Sequence, residues 1–432
     1  MKFKFLLSLF FLITSASWGF SQETTKVKTE TKTGVQPKSR LTLGGYGEAV
    51  ASRMFYSNNY KRYTDATLYK DAGGYGQVDL PHVVFYVAYD FGRGWIMSSE
   101  IEFEHGGTES AVEIEEEETG EYESEVERGG EVALEQFWLQ KSFSKAFNLR
   151  MGHIIVPVGL TNQYHMPNEF FTVYRPEGES TILPCTWHET GISLWGKLKD
   201  WRYEAQLIAG LDANRFGSKD WIAGGAGSPY EFKLATAYAG AFRIDNYSVK
   251  NLRCALSGYV GNSASNTLEP NKFKGLNGTV SIGSFDFHYG SNALIVRGSF
   301  TYGHLTNSEA ITIANNNSRQ DSPSPKTPIA SDAIATGIEA GYNLFTTLPS
   351  MASKNEQLFL FGRYDFYDSM FKTEGSVTDN ECWGRQRVAA GINYKPFNEL
   401  VIKAEFSHRI FKSQYNNENT LSIGIAYAGM FR

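Results

Sequence analysis

Leu421-Ser-Ile-Gly-Ile-Ala-Tyr-Ala-Gly-Met-Phe431 alternates apolar side chains with small or polar ones. A period of two is typical of a β-strand that has one apolar and one polar face. About sixteen stretches of this kind follow one another along the chain, joined alternately by short turns and long polar loops. An even number of such strands with unequal joints suits a barrel in an outer membrane. There the sheet must close on itself, because lipid satisfies no backbone polar groups.

The pattern therefore predicts an all-β fold, a transmembrane antiparallel β-barrel of about 16 strands, with 18 as the alternative. Hydrophobic residues make up 41% of the chain and aromatic residues 14%. Both values are expected when only every second side chain faces lipid and aromatic girdles lie at the two interfaces. Beyond the N-terminal segment, no stretch approaches the roughly eighteen apolar residues that a spanning helix needs.

The chain before the barrel divides into two parts. Residues 1–21 combine a basic start, a short apolar run and small residues near Ser21, which is the pattern of a secretory signal peptide. Residues 22–40 are rich in Thr, Lys and Glu, and they predict a flexible periplasmic tail. This tail is too short to form a plug domain. The barrel is then predicted over residues 41–432.

Alternation also assigns side chains to the barrel interior. Many inward positions are charged, so we expect a water-filled lumen rather than a packed core. Acidic residues gather on the first strands and basic residues on the later ones. The two groups either face each other across the lumen or pair locally along the wall. The candidate pore-lining residues are Glu48, Glu100, Glu102 and Glu104 among the acids, and Arg297, Arg363, Arg385, Arg387, Lys403 and Arg409 among the bases.

The phase of the alternation breaks in two of the predicted strands. One is the fourth strand, residues 131–143, where Glu135 falls out of step, and the other is the tenth, residues 279–289. A β-bulge inserts one residue and shifts the phase of every residue after it. The sequence therefore predicts a bulge in each of these strands.

The third long loop, residues 158–190, differs from the others because it has few glycines and many aromatic and aliphatic residues. Such a loop is able to fold into the barrel and pack there, where it would set the size of a pore that is otherwise wide. The alternative is a loop that caps the mouth or contacts another subunit. The polar candidates for a constriction are His165, Glu169, Arg175 and Glu177.

The second long loop is strongly acidic. Residues 109–128 contain ten glutamates and one arginine, whereas the whole chain has a formal net charge of −6. Such a segment either binds divalent cations, bridging to lipopolysaccharide or gathering cations at the mouth, or is simply a solvated acidic loop.

Motifs of enzymes and metal sites are missing from the sequence. We find no Gly-x-Ser-x-Gly, no His-Glu-x-x-His, no cysteine pair at metal-ligand spacing and no phosphate-binding glycine loop. We therefore expect no catalytic residues, no metal, no cofactor and no nucleic-acid partner. The three cysteines do not form a disulfide framework, although Cys185 and Cys382 lie in long loops on the same side and either pair or remain free.

Three segments carry a resemblance to a known family. They are Leu149-Arg150-x-Gly152-x-x-x-x-Pro157-x-Gly159-Leu160 before a long loop, Glu189-Thr-Gly191-Ile-Ser-Leu-Trp-Gly196 in the next strand, and the acidic Glu100-Ile-Glu102-Phe-Glu104. With these motifs the chain resembles the phosphate-selective porin O and P family, in the divergent form found in Bacteroidota. The resemblance implies a sixteen-strand barrel, usually a trimer, that passes small solutes passively.

The chain departs from that family where selectivity is concerned. The family's phosphate channels use lysines near the constriction, whereas here Gly152 is followed by His-Ile-Ile-Val. The third loop carries one arginine against four glutamates. The resemblance therefore does not extend to phosphate specificity, and a general preference for anions stays open.

These observations predict an outer-membrane porin that lets small, charged, hydrophilic solutes diffuse through a water-filled barrel. Its expected partners are outer-membrane lipid and lipopolysaccharide, small solutes or ions, and two further copies in a homotrimer. Two alternatives stay open. One is a substrate-specific outer-membrane transporter, and the other is a barrel enzyme or adhesin with a closed lumen.

Overall fold

The computed structural model describes residues 40–64, 66–105, 109–116, 122–129, 132–227, 232–267, 269, 271–318, 324–348, 355–412 and 414–431. The predicted signal peptide and all but the last residue of the predicted tail lie outside these residues. The first strand begins at Leu41, where the barrel was expected to begin.

Strands dominate the described residues. In chain order they are β1 Leu41–Met54, β2 Gly76–Asp79, β3 His82–Gly92, β4 Trp95–Glu104, β5 Glu109–Glu116, β6 Tyr122–Gly129, β7 Val132–Ser142, β8 Asn148–Ile155, β9 His188–Leu198, β10 Trp201–Ala209, β11 Tyr238–Val249, β12 Leu252–Asn262, β13 Thr279–Gly290, β14 Leu294–Leu305, β15 Asp332–Asn343, β16 Gln357–Lys372, β17 Gly384–Lys395, β18 Leu400–Ile410 and β19 Glu418–Phe431. The α-helices are α1 Ala66–Tyr69, α2 Glu177–Ile182 and α3 Ser308–Asn316. Short 3-10 turns lie at Tyr60–Tyr63, Ala213–Arg215, Ala223–Ala226, Leu344–Thr346 and Glu381–Trp383.

A closed ring forms from these strands. Each barrel strand pairs antiparallel with the next barrel strand along the chain, β4 with β7 among them, and β1 pairs with both β3 and β19, which closes the sheet. The short β2 pairs with β1 as an addition, and β5 and β6 form a separate hairpin, so sixteen strands make the barrel. Closure leaves the ring with no unpaired edge, which is the condition for a sheet in lipid. The predicted sixteen-strand all-β barrel is confirmed.

The outer face is apolar, as the alternation predicted. In β10, for example, Leu207 is 56% exposed while its neighbour Ile208 is fully buried on the inside. Exposed aromatic rings gather where short turns join the strands, namely Phe91, Trp95, Phe143, Phe147, Trp201, Phe397 and, at the end of β19, Phe431. These rings match an aromatic girdle at the short-turn end. None of the described helices is long and apolar enough to cross a membrane.

One of the two predicted bulges is present. The pairing of β4 with β7 shifts between Glu100 and Ile101, which oppose Gln136 and Leu134, so that Glu135 is the extra residue. The bulge leaves two consecutive side chains, Glu135 and Gln136, away from lipid. The prediction for residues 279–289 was wrong, because β13 pairs with both neighbours without a shift.

The expectation of a wholly water-filled interior was also wrong. Inward side chains of β8 to β16 near the long loops are apolar, and they pack against residues of those loops into one core. Its large members include Ile154, Ile182, Leu183, Trp187, Ile208, Leu211, Phe216, Trp221, Ile222, Tyr259, Phe273, Val280, Ile282, Leu305, Ile311, Ile329, Tyr367 and Met370. The sequence suggested a solvated wall because the loop residues that cover it are distant in the chain.

The acidic second loop contains regular structure. Its backbone forms the antiparallel hairpin of β5 and β6, in register from Glu109 opposite Gly129 to Glu116 opposite Tyr122. The hairpin stands between β4 and β7 in the chain and is not part of the barrel wall.

Candidate functional site: the inner loop

The connection between β8 and β9, residues 156–187, is called the inner loop here. All of its residues are buried or half-buried, and the side chains of Phe170, Phe171, Ile182 and Trp187 are buried. Its helix α2 contacts β15 and β16, which lie far around the ring from β8. The loop therefore runs into the barrel and crosses its interior.

The near end of the inner loop is fixed by one buried carboxylate. Glu179 accepts hydrogen bonds from the backbone N–H of Leu160 at 3.0 Å and of Thr161 at 2.8 Å, and from the hydroxyl of Thr301 at 3.1 Å. Gly159 has φ +86°, and a Cβ there would lie 2.2 Å from the Glu179 Oε1 atom. A glycine is required at this position for both reasons.

Residues of the far wall hold the middle of the loop by its backbone. The Lys403 ammonium donates to the carbonyls of Phe170 at 3.0 Å and Thr172 at 2.7 Å. Glu405 Oε2 accepts from the N–H of Val173 at 2.7 Å. Because irregular backbone inside a barrel has no ladder to satisfy it, these charged side chains replace a strand partner.

An ion-pair cluster fixes α2 to the same wall. The Glu177 carboxylate binds Arg409 through two hydrogen bonds, at 2.6 Å and 3.1 Å, and accepts from the Tyr367 hydroxyl at 2.7 Å. Arg387 lies 3.4 Å away. Burial raises the pKa of Glu177, but Arg409 and Arg387 outweigh it, so the net pKa lies well below the usual range. The two arginines therefore favour the ionised form of Glu177.

Aromatic packing completes the contact with the far wall. Phe171 stacks on Phe361 with ring centroids 5.5 Å apart, and Arg297 lies over the Phe171 ring at 5.2 Å. A Cβ added to Gly341 would lie 2.2 Å from the Phe171 ring. The glycine thus provides the space that this ring occupies.

The loop also approaches the acidic strands β1, β3 and β4. Arg175 donates to the Tyr46 hydroxyl at 3.3 Å and lies 3.8 Å from Glu102. Glu102 also lies 2.7 Å from His82, whose other ring nitrogen is 3.9 Å from Glu48. We call the group Glu48, Glu100, Glu102, Glu104 and Glu135 the acidic side.

The predicted basic residues lie on β14 to β18, and we call them the basic side. Five of them contact acids or the inner loop: Arg297 pairs with Glu339, Arg363 with Glu339 and Asp365, Arg387 with Glu405 and Glu177, Arg409 with Glu177 and Glu418, and Lys403 binds loop carbonyls. Arg385 instead donates to the Cys382 carbonyl at 2.9 Å and stacks on Trp383 at 4.7 Å.

Local pairing, the alternative left open by the sequence, is therefore what the basic side shows. Four of its arginines have carboxylate partners on the same or adjacent strands or on the inner loop, and four of the six predicted basic residues are themselves buried: Arg297, Arg363, Arg387 and Lys403. The two sides also meet around the ring, since β18 and β1 both pair with β19. They are not simply two walls that face each other.

The four predicted loop residues are all inside the barrel. Arg175 reaches the acidic side, and Glu177 reaches β17 and β18. His165 lies edge-on to the Tyr46 ring, with centroids 6.0 Å apart. Glu169 accepts from the Met166 N–H at 3.3 Å, and burial raises its pKa to about 7 even though Arg297 and Lys395 lie near it.

Several residues at the site were not among the predicted ones. Glu179 binds the backbone at the near end of the inner loop, and Tyr46 binds Arg175. Glu405 and Glu339 form ion pairs with arginines of the basic side. Glu405 was visible in the sequence as an inward residue two positions after Lys403, so its pairing was open to prediction. Glu179 carried no signal, because its partners Leu160 and Thr301 become neighbours only when the loop folds inward. All three cysteines are free.

Comparison with known proteins supports the fold. No family model matches the chain. A protein of Aquifex aeolicus, described as uncharacterized, is 25% identical over 390 residues, which cover 89% of this chain and 79% of that protein. Salmonella typhi OmpF, solved in complex with daunomycin, has a TM-score of 0.50 at 10% identity, with 90% of this chain and 97% of that chain covered. Pseudomonas putida OprB has a TM-score of 0.50 at 9% identity, with 90% and 94% covered.

At these identities the likeness concerns the fold alone. The closed ring, its apolar outer face and the girdle of aromatic rings are the properties that a lipid bilayer demands of a sheet. This chain is a bacterial outer-membrane β-barrel. Its inner loop occupies part of the barrel interior, which would otherwise be open along its length.

Proposed function

We propose that this protein is a porin, through which small, charged, hydrophilic solutes cross the outer membrane by passive diffusion. The observation that carries the proposal is the inner loop, which crosses a closed barrel and is attached to β4 through Arg175 and to β17 and β18 through Glu177. A loop held in this way narrows the lumen to the space beside it. Partly accessible polar side chains such as Glu169 and Arg175 would line that space.

We propose that the pore prefers cations. The basic side carries its own carboxylates, so its arginines leave little uncompensated positive charge. The acidic side holds five carboxylates, and within the described residues Arg175 lies 3.8 Å from one of them, Glu102. Fixed charge beside a narrow path offsets the dehydration of the opposite ion and excludes the like ion.

Recording from purified protein in planar bilayers tests both statements. We expect stepwise ion conductance, and a reversal potential in a potassium chloride gradient with the sign of cation selectivity. Protein unfolded by heat before addition is the control. The absence of conductance from folded protein would reject the porin, whereas conductance with anion selectivity would reject only the charge argument.

A second candidate is a substrate-specific transporter. The apolar core inside β8 to β16 favours it, because this core removes much of the space that a general porin would leave open. Swelling of liposomes in a size series of neutral sugars separates the two. A general porin admits them in order of size, whereas a specific transporter admits one class and excludes smaller members of others.

We further propose the homotrimer that the family resemblance implies, with lipopolysaccharide around its outer face. Native mass spectrometry of detergent-extracted protein tests the assembly. A mass of three chains supports it, and a single chain at every concentration rejects it. Phosphate is not proposed as the solute, because the lysines of the phosphate channels have no counterpart after Gly152.

A further inference from the structure

Two carboxylates of the acidic side and one histidine of the inner loop converge on one point. Glu100 comes from β4, Glu135 is the bulged residue of β7, and His165 comes from the inner loop. One ligand atom of each, a carboxylate oxygen or an imidazole nitrogen, lies within 4.8 Å of the other two. We propose that this group binds a divalent first-row transition-metal ion that ties the inner loop to the barrel wall.

The strongest indication is a carboxylate oxygen that has no partner. Glu135 is completely buried, and among the described residues its Oε1 atom has no hydrogen-bond partner. A buried carboxylate with an unsatisfied oxygen is costly, and the cost is greater beside another carboxylate, here Glu100. A cation between the two removes both penalties.

Each of the three side chains also has a polar contact with another residue, which fixes its orientation. The Tyr46 hydroxyl donates to the second oxygen of Glu135 at 3.3 Å, and the Gln136 amide donates to Glu100. The His165 Nδ1 atom lies 3.4 Å from the Asn162 carbonyl. A proton on Nδ1 shared with that carbonyl leaves Nε2 with a free lone pair. This is how metal-binding histidines are oriented in proteins.

The donor set selects the class of ion. Two carboxylates and one imidazole suit zinc, manganese or ferrous iron better than calcium or magnesium, which take oxygen ligands alone. Ligands lie about 2.0–2.2 Å from such an ion. Small side-chain rotations would bring the three atoms from their present separation to that distance. The ten glutamates between β4 and β7 in the sequence would raise the local concentration of cations.

The proposal does not depend on transport, because binding is measured on purified protein whether or not it conducts. Full-length protein in detergent is stripped with a chelator and titrated with Zn²⁺ by calorimetry. We expect one ion per chain and a rise in the thermal unfolding midpoint. With Co²⁺ instead, visible absorption bands report the coordination directly.

Substitutions assign the ligands. E135Q and H165Q are each expected to weaken Zn²⁺ binding more than about tenfold, since loss of an outer-shell partner alone costs about 10- to 100-fold. E204Q is the matched control, because Glu204 is an inward carboxylate paired with Arg202 on β10 and is expected to leave binding unchanged. Heat-dependent mobility in gels verifies that each variant is a folded barrel, and E100Q replaces E135Q should the latter not fold.

Two outcomes would overturn the site. One is folded wild-type protein that binds no Zn²⁺ and gives no Co²⁺ bands. The other is binding that persists in E135Q and H165Q and is lost instead when the paired His153 and His188 are replaced, which would place the ion at that pair.

Discussion

The basic side and the acidic side both contact the inner loop, but among the described residues their charges are paired in different ways. On the basic side Glu405, Glu339 and Glu177 share the arginines and leave them little free charge. On the acidic side carboxylates crowd together around His82, His165 and Arg175. A saturated network holds a segment in one position, whereas an unsaturated one attracts ions. We infer that the basic side fixes the inner loop in place, and we propose that the acidic side determines which ions pass.

Breaking the attachment to the basic side should have the largest effect. Glu177→Gln removes the charge that binds Arg409 and Arg387 and leaves both arginines without that partner. We expect a loss of about 2–4 kcal/mol in the free energy of unfolding, somewhat below the cost of breaking a fully buried pair because the side chain is 27% exposed. We also expect a larger single-channel conductance, because α2 is released.

The matched control for this variant is Glu204→Gln. It also breaks an inward Arg–Glu pair, with Arg202, but one that does not touch the inner loop. Its stability should fall while its conductance stays at the wild-type value. Equal conductance in both variants would show that the ion pairs of Glu177 do not hold the loop.

The second prediction tests the aromatic part of the same attachment. Gly341→Ala places a methyl group 2.2 Å from the Phe171 ring, so the ring must move. Overpacking of this kind costs about 1–3 kcal/mol. We expect a lower thermal midpoint and faster proteolysis of the inner loop. Gly283→Ala, where an added Cβ meets nothing within 4 Å, should change neither.

The sequence predicted the wall of this molecule better than its interior. Strand alternation placed Glu48, Glu100 and Arg363 inside, because a strand has only two faces and the pattern of its own residues decides between them. The bulge at Glu135 was predictable for the same reason, since it breaks a local phase. The packed core was not, because Trp221 and Ile329 lie in different loops and meet only after folding. The contacts of Glu179 were hidden for this reason too.

A third prediction compares the two sides through one arginine on each. Arg175→Gln removes a positive charge beside Glu102, where carboxylates are already in excess. Arg297→Gln removes one beside Glu339, which keeps Arg363 as a partner. Reversal potentials in a salt gradient should therefore shift further toward cations for Arg175→Gln than for Arg297→Gln. An equal shift would mean that the two sides contribute alike to the field along the path.

The smallest effect concerns the dependence of selectivity on pH. Burial raises the pKa of Glu169 to about 7, with Arg297 and Lys395 as the charged groups that oppose this rise. As the pH rises through 7, the carboxyl group loses its proton and the interior becomes more negative. The preference for cations should therefore increase from pH 6 to pH 8.

Reversal potentials measured across this range provide the test, and Glu169→Gln should flatten the curve because its amide does not titrate. Glu309→Gln, at a carboxylate of α3 that lies outside the inner loop, should leave the curve unchanged. A curve of the same steepness in Glu169→Gln would assign the titration to another group, and the carboxylates of the acidic side would then be the first to replace in turn.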